Sequence, residues 1–423
     1  MKILVVGSGG REHALCWAFS KSQKVDKIFC ANGNHGISEQ AERVDILPDD
    51  IQGLLNFAAQ NKIDLTFVGS ENPLALGIVD EFEKHGLKII GASKAASQLE
   101  SSKSFGKDFM ARHNIPTARY KIANSVKEAS EILESDFPGD KSLPIVVKAD
   151  GLAAGKGVIV AVNRAEAMKA VNELAQIAGK LAAQKIILEE CLIGKEVSLL
   201  LFTDGKNFVL MPPCRDHKRI GEGDTGANTG GMGTFTDNKL LSEQQIKQIC
   251  REIVEPTLKG AAAENFPFAG ILFLGLMLTI DGIKVLEYNV RFGDPETQVI
   301  LVRLKTDLVD ICEAIDCQTL SQINIEWEAG SSACVILAAK NYPQTPVTGS
   351  IIYGLDEFAK TDDLNIFHSG TSKDSKGNVI TAGGRVLGVT VKSGDLDSAL
   401  EKAYQIVSKI NWNGMRFRRD IGK

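Results

Sequence analysis

Val285-Leu286-Glu287-Tyr288-Asn289-Val290-Arg291-Phe292-Gly293-Asp294-Pro295-Glu296-Thr297-Gln298 is the stretch from which the rest of this chain is read. Side chains of a strand alternate between its two faces. Read as a strand, the segment turns Leu286, Tyr288, Val290 and Phe292 to one side, which is a core. Glu287, Asn289 and Arg291 fall on the other side, and a Gly-Asp-Pro-Glu turn follows at once. A carboxylate and an amide offer hard oxygen donors, and Mg2+ is usually held by one or two protein groups together with substrate phosphates. Glu287 and Asn289 can supply those oxygens. The guanidinium of Arg291 is a fork suited to a carboxylate or phosphate. A strand with a merely solvated polar face shows the same alternation, but the tight turn behind the charges argues against it.

Upstream, residues 270–280 and 283–290 read as a hairpin around Asp281-Gly282, a strong turn signal that delivers the opening stretch. Residues 241–263 read as one long helix. Before it, Arg215-Asp216-His217-Lys218-Arg219 is a dense charge run leading into residues 220–233, where six of fourteen positions are glycine. Such a segment makes neither a helix nor a central strand. With the charges beside it, it reads as a substrate loop rather than a disordered one.

Residues 186–188 form a strand that runs into Glu189-Glu190-Cys191-Leu192-Ile193-Gly194-Lys195-Glu196. A strand edge can offer backbone groups to adenine, and a carboxylate can hold ribose hydroxyls; a solvated turn fits these residues equally well. Residues 144–147 are a short apolar strand ending in Lys148, followed by Ala149-Asp150-Gly151-Leu152-Ala153-Ala154-Gly155-Lys156-Gly157. The resemblance to a phosphate-binding P-loop is superficial. Three residues separate Gly151 from Gly155 where four are needed, Gly157 stands at the Ser/Thr position, and a strand follows. The segment reads instead as a glycine flap between antiparallel strands, able to close over phosphates with backbone N–H groups. Lys148 at the end of an apolar strand is costly unless it meets an anion or water. Helices are expected over 124–134 and 165–181. Ser101-Ser102-Lys103 opens another, capped by either serine and running to about residue 113. Pro116 ends the connection, so a domain boundary falls here.

The first hundred residues alternate apolar runs (3–6, 27–31, 65–68, 87–90) with helical patterns, the signature of a parallel sheet covered on both faces. Gly7-Ser8-Gly9-Gly10-Arg11-Glu12-His13 opens the first helix, and such a turn favours an anion through free N–H groups and the helix dipole. It is not a dinucleotide fingerprint. Glu12 stands where the third glycine belongs, and the second strand ends in Ala31-Asn32 where a ribose-binding acid is expected. A small phosphorylated ligand fits better. His13 alone reads as a packed or capping histidine. Val68-Gly69-Ser70-Glu71 is a second strand-to-helix turn at the same sheet edge. After about residue 325, strands over 333–338, 349–353, 366–368 and 385–390 and a helix over 397–410 make a small α+β unit, with Gly383-Gly384-Arg385 at a turn and no catalytic cluster.

At 423 residues the chain is long enough for two to four domains. A net charge of -5, from 48 Lys+Arg against 53 Asp+Glu, gives no basic excess for nucleic acid. Eight scattered cysteines without zinc-ligand spacing read as reduced thiols of a cytoplasmic protein. No apolar run reaches membrane-spanning length, and the first residues, MKILVVG, enter a strand without signal-peptide features.

The order of these features resembles the ATP-grasp superfamily. Within it, Gly7 to Leu15, Lys148 to Gly157, Asp216 to Arg219 with Asn228 to Gly233, and Arg291 to Gln298 look like the glycinamide ribonucleotide synthetases, or phosphoribosylamine–glycine ligases, along essentially the whole chain. The resemblance implies an α/β and α+β multidomain fold. Its parts are an N-terminal parallel α/β (pre-ATP-grasp) domain over 1–101, an ATP-grasp central domain over 102–120 and 191–325, an ATP-grasp flap domain over 121–190, and a small α+β C-terminal domain over 326–423. It implies that ATP is a co-substrate and that Glu287 and Asn289 bind Mg2+ or Mn2+. Lys107 and Lys148 would contact ATP phosphates, with Gly155 in the flap. Glu189 and Leu192 would line the adenine hinge, and Glu196 would take the ribose hydroxyls. Arg291, Gly293, Asp294 and Asp216 would face glycine and the reacting phosphoryl group. Gly9, Gly10 and Glu71 would face 5-phosphoribosylamine. Many ATP-grasp enzymes carry a further metal carboxylate on the preceding strand; residues 272–278 contain none, so Glu287 is left to bridge two ions alone or to bind one. A monomer or weak homodimer acting on small molecules, with no nucleic-acid or membrane partner, is expected. The competing readings are another ATP-grasp carboxylate–amine ligase or carboxylase, disfavoured by the Arg291 to Gln298 string; an NAD-dependent dehydrogenase, disfavoured by Glu12 and Asn32; and a non-catalytic nucleotide-binding module, disfavoured by the presence of Glu287, Asn289 and Lys148.

Overall fold

The computed structural model describes residues 1–135, 137, 139–140, 142–152, 157–178, 184–358 and 361–423. Three main sheets organise them. The first is parallel and five-stranded, ordered Glu42–Val44, Lys27–Asn32, Lys2–Gly7, Leu65–Val68, Ile89–Ile90. Its three central strands are continuous apolar runs because helices cover both faces. The three-residue edge strand Glu42–Val44 escapes sequence reading, since two of its residues are charged and it has no alternation to detect.

The second sheet is antiparallel and four-stranded, ordered Tyr120–Ala123, Ile186–Glu190, Ile145–Ala149, Val158–Ala161. Helices Val126–Glu134 and Arg164–Ala178 pack on it and share its small core of Ala129, Leu133, Val147, Val171 and Leu188. The expected flap connects Ile145–Ala149 to its antiparallel partner Val158–Ala161. Gly155 itself lies outside the described residues. The flap's root is tied down: Asp150 accepts the Ser104 N–H at 2.6 Å and the Ser102 hydroxyl at 3.1 Å, at the start of helix Lys103–Arg112.

The third sheet has nine strands and differs from the expectation in extent. Its path runs Gly282–Asn289, Ala269–Thr279, Lys195–Asp204, Cys214–Asp216, Gly233–Thr236, Ser331–Ala338, Arg385–Ser393, Leu364–His368, with Phe208–Leu210 beside Lys195–Asp204. Hydrogen bonding therefore passes from the middle of the chain into its last hundred residues without an edge. The glycine-rich segment is also more ordered than a loop. Arg219–Gly221 and Thr225–Asn228 form a two-stranded hairpin, and Gly233 begins a strand inside the large sheet. A glycine suits that position because a Cβ would lie 2.8 Å from the Cys334 carbonyl. Residues 349–353 make only isolated bridges. The expected long helix over 241–263 is continuous from Glu243 to Ala263, with a wider turn at Cys250–Val254.

The hairpin that carries the opening stretch turns where expected. Its pairing slips by one residue: Glu287 faces Gly275, but Val285 faces Leu276. The extra residue is Leu286, a bulge that breaks strict alternation. Val285 is buried in its place and Leu286 is only half-buried, while Tyr288, Val290 and Phe292 keep their core positions. No helix among the described residues is long and apolar enough to cross a membrane.

Candidate active site

Glu189 organises one half of the site. It is buried between two ammonium groups, with Lys107 at 2.8 Å and Lys148 at 2.9 Å. Lys107 rises from helix Lys103–Arg112 and Lys148 from strand Ile145–Ala149, so this contact joins two units. Lys148 thus has the anion its position demands, supplied by the protein. Lys107 also donates to the Thr117 hydroxyl at 2.8 Å, and Thr117 donates to the Val285 carbonyl at 2.7 Å. Burial, together with the Lys148 charge, pulls the Lys107 ammonium down to about 8 despite Glu189. Beyond Glu190 the chain crosses between sheets through Cys191, Leu192, Ile193 and Gly194; Leu192 is half-buried and Ile193 exposed. Glu196, at the start of the next strand, is ion-paired with Lys218.

Glu287 stands among cations. Burial works to raise its carboxyl, but Lys218, Lys148, Lys103 and Arg291 outweigh that and hold it down. Gly275 lies opposite, and a Cβ there would be 3.3 Å from the Glu287 side chain. Asn289 accepts from Arg291 at 3.3 Å. No group of three or more His, Cys, Asp or Glu side chains among the described residues forms a protein-only metal cage. The donors present fit a hard divalent ion that keeps water and takes phosphate oxygens, which is how Mg2+ is bound at phosphoryl-transfer sites.

Arg291 is fully engaged. Its Nη2 is 2.6 Å from Glu100, its Nε is 3.1 Å from Glu71, and its Nη1 donates to the Phe292 carbonyl at 3.2 Å. Glu71 lies also 3.9 Å from Arg11. Burial opposes ionisation of Glu71, but Arg291 and Arg11 prevail and hold it at about 2.

Asp294 sits where the first helix begins. Its carboxylate accepts from Gln298 at 2.8 Å and lies 3.2 Å from Arg385. Burial opposes its ionisation, and Arg385, Arg11 and the Arg11 amide together hold its carboxyl down. Glu12 takes the Gly9 N–H at 2.6 Å. The anion site expected of the Gly7-to-His13 turn is therefore filled from within the protein, by two carboxylates. Gly9 is half-buried, and a Cβ there would be 3.0 Å from Asp294 and from Glu12. Gly10 is buried, with Gln298 and Ser369 closing to 2.6 and 2.7 Å of where a Cβ would stand. A side chain at Gly293 would strike Glu296.

Asp216 and Glu296 form a like-charge pair. Burial raises both carboxyls, and Glu296 raises Asp216 further. Thr234 donates to Asp216 at 3.1 Å. A cation placed beside these two carboxyls would relieve their mutual repulsion.

Three family models tile the chain: the phosphoribosylglycinamide synthetase N domain over residues 1–100, the ATP-grasp (A) domain over 101–297 and the C domain over 332–423. The chain belongs to the phosphoribosylglycinamide synthetase family. A phosphoribosylamine–glycine ligase of Xanthomonas axonopodis pv. citri (strain 306) is 45% identical to it over 428 aligned residues, spanning 100% of this chain and 97% of its own length. The crystal structure of a phosphoribosylamine–glycine ligase from Thermotoga maritima superposes with a TM-score of 0.84 at 30% identity, covering 99% of this chain and all of its own. The biotin carboxylase domain of a Hydrogenobacter thermophilus 2-oxoglutarate carboxylase, solved with MgADP and bicarbonate, shares the fold with a TM-score of 0.73 at 17% identity, covering 98% of this chain and 91% of its own.

Within this synthetase family member, the fold brings in residues that sequence reading passed over. Arg385 crosses from strand Arg385–Ser393 to donate to the Asp294 carbonyl at 2.5 Å and the Gly230 carbonyl at 2.6 Å. Tyr342 accepts the Gly230 N–H at 3.0 Å. Glu100, Glu296 and Lys218 complete the set. Glu296 and Lys218 lie within the Arg291-to-Gln298 and Asp216-to-Arg219 strings, where their charge is the local signal. Glu100 and Arg385 carry no local signal, because each acts only through a partner distant in sequence.

Proposed function

We propose that the site activates glycine as glycyl phosphate and passes the glycyl group to the amine of 5-phosphoribosylamine. The chain is an ATP-dependent carbon–nitrogen ligase of the synthetase family, joining glycine to phosphoribosylamine in purine biosynthesis. A carboxylate is a poor electrophile. Transfer of the γ-phosphoryl group of ATP to the glycine carboxylate makes an acyl phosphate, and attack by the amine then expels phosphate. The products are glycinamide ribonucleotide, ADP and phosphate.

Phosphoryl transfer asks chiefly for positioning and charge neutralisation. Lys107 and Lys148 take ATP phosphates, exchanging their hold on Glu189 for the polyphosphate. Glu189 and Leu192 flank the adenine, and Glu196 takes the ribose hydroxyls. Glu287 and Asn289 hold Mg2+ or Mn2+, which when bound neutralises charge on the polyphosphate. The pair of buried Glu296 and half-buried Asp216 attracts the glycine ammonium. Arg291, with the Gly293-Asp294 turn, faces the glycine carboxylate and the moving phosphoryl group. Gly9, Gly10 and Glu71 border phosphoribosylamine. Gly155 and its neighbours close over the phosphates, since an acyl phosphate hydrolyses in water. No protein nucleophile is required.

The observation that carries this reading is the convergence of Lys107, Lys148, Lys218 and Arg291 on Glu287 and Glu189, a cationic nest around two carboxylates. The test is ADP release from MgATP and glycine, with and without phosphoribosylamine generated in place. Release that needs both substrates and falls at least a hundredfold in Glu287→Ala supports the reading, a loss on the order of that for one electrostatic group at a reacting centre. Release independent of glycine sinks it.

A further inference from the structure

We propose that Arg418, near the end of the chain, is a positioning residue that fixes the glycine-rich hairpin and, through it, Lys218. The inference rests on the ligase reading above, because Lys218 matters to catalysis only if the carboxylates around it line the reacting centre.

The hairpin Arg219–Gly221 and Thr225–Asn228 belongs to neither large sheet. Two-stranded hairpins are marginal alone. Glu222 through Ala227 are exposed, so this one has no core of its own. What grips it is polar. Arg418 is 1% exposed. Its Nη1 donates to the Arg219 carbonyl at 3.1 Å and to Asp224 at 2.7 Å, so one guanidinium spans the first strand and the turn. Nε and Nη2 hold Asp420 through both carboxylate oxygens, each at 2.7 Å. Asp420 in turn accepts the Gly223 N–H at 2.8 Å. Glu222 accepts the Arg419 N–H at 3.2 Å.

Asp224 has a φ of 53°, a left-handed turn conformation that Asp and Asn tolerate. A bidentate fork with a third acceptor sets position as well as charge. The fixed strand begins one residue after Lys218. Lys218 is held by Glu196 and stands beside Glu287 and Asp216. The Lys218 carbonyl in turn accepts the Thr229 N–H at 2.8 Å and the Thr229 hydroxyl at 2.9 Å, so the hairpin that Arg418 grips carries Lys218 at its inner end. The neighbouring Gly422 N–H points to His217 at 3.4 Å, so the residue on the other side of Lys218 is touched by the same segment.

Arg418 is buried, and its loss can unfold the end of the chain. Asp224 is half-exposed and makes the safer probe. Asp224→Asn and Arg418→Lys are each made in the full-length chain and again on Lys218→Gln. Melting temperature, kcat, the KM for ATP and glycine, and ATP affinity by fluorescence titration are measured for all. In the otherwise wild-type chain we expect kcat to fall about tenfold, the scale of losing a charge-assisted hydrogen bond, with the melting temperature nearly unchanged in Asp224→Asn. On Lys218→Gln the same substitutions should change kcat and ATP affinity less than twofold, because residues acting through one group do not add. ATP affinity keeps the cycle readable if Lys218→Gln is inactive. Losses that multiply, or a melting shift with kcat and KM intact, overturn the proposal. A wild-type chain without glycine-dependent ADP release overturns the ligase reading instead.

Discussion

Around Glu189 and around Arg291 the charged groups of this site are paired with one another. Glu189 satisfies Lys107 and Lys148. Glu71 and Glu100 satisfy Arg291. Buried charges are tolerated only in such partnerships, so a substrate held by Lys107, Lys148 or Arg291 would exchange for a protein partner rather than fill a bare site. Lys107 makes this measurable. Its folded value of about 8 lies below the ordinary 10.5, so between those values the unfolded chain binds more protons and the stability owed to this residue rises with pH. ATP should restore the charged form. Titration calorimetry near pH 9, in buffers of different ionisation enthalpy, should show net proton uptake on ATP binding, falling away towards pH 7. Proton release, or no exchange at pH 9, contradicts it. The need of Lys148 for an anion was legible from its place after an apolar strand. That Glu189 meets it was not, because a cross-strand neighbour has no sequence spacing.

At the scale of elements, the hairpin turn at Asp281-Gly282 was legible, and so were the antiparallel strands that root the flap. The bulge at Leu286 was not. Alternation read through the stretch assigns Leu286 to the core, whereas the slip buries Val285 and keeps Glu287, Asn289 and Arg291 on the site face. Binary pattern reports a face, and register depends on the partner strand. The link between sheets at Gly194 is a further case. A Cβ there would lie 2.2 Å from the Leu278 carbonyl, a backbone atom that cannot step aside. Gly194→Ala should therefore destabilise the chain by about 1–3 kcal/mol, the usual cost of overpacking, and weaken ATP binding beside Leu192. Thermal melting and ATP titration check this; a variant as stable as wild type removes the packing argument.

Across the whole molecule, the nine-stranded sheet joins the middle and the end of the chain, while the four-stranded sheet keeps a separate, smaller core. Opening free energies follow local cores. Amides of Ile186–Glu190 and Ile145–Ala149 should exchange through a lower-energy opening than those of Ser331–Ala338, and MgATP should slow the former selectively. Hydrogen exchange with mass spectrometry would show this. Equal protection in both sheets would mean that the flap unit and the large sheet open together.

The sequence by itself determined the family and the order of its parts, and it singled out the strand from Gly282 to Asn289 and the two lysines, because those rest on local pattern and motif. Tertiary structure alone decided which carboxylate faces which cation, why the first glycine turn is filled by Glu12 and Asp294, and how Arg385 reaches the site and Arg418 the glycine-rich hairpin from the last hundred residues. The physical reason is the same in each case. A buried charge is settled by whatever opposite charge the fold brings within a few ångströms, and that neighbour lies anywhere along the chain.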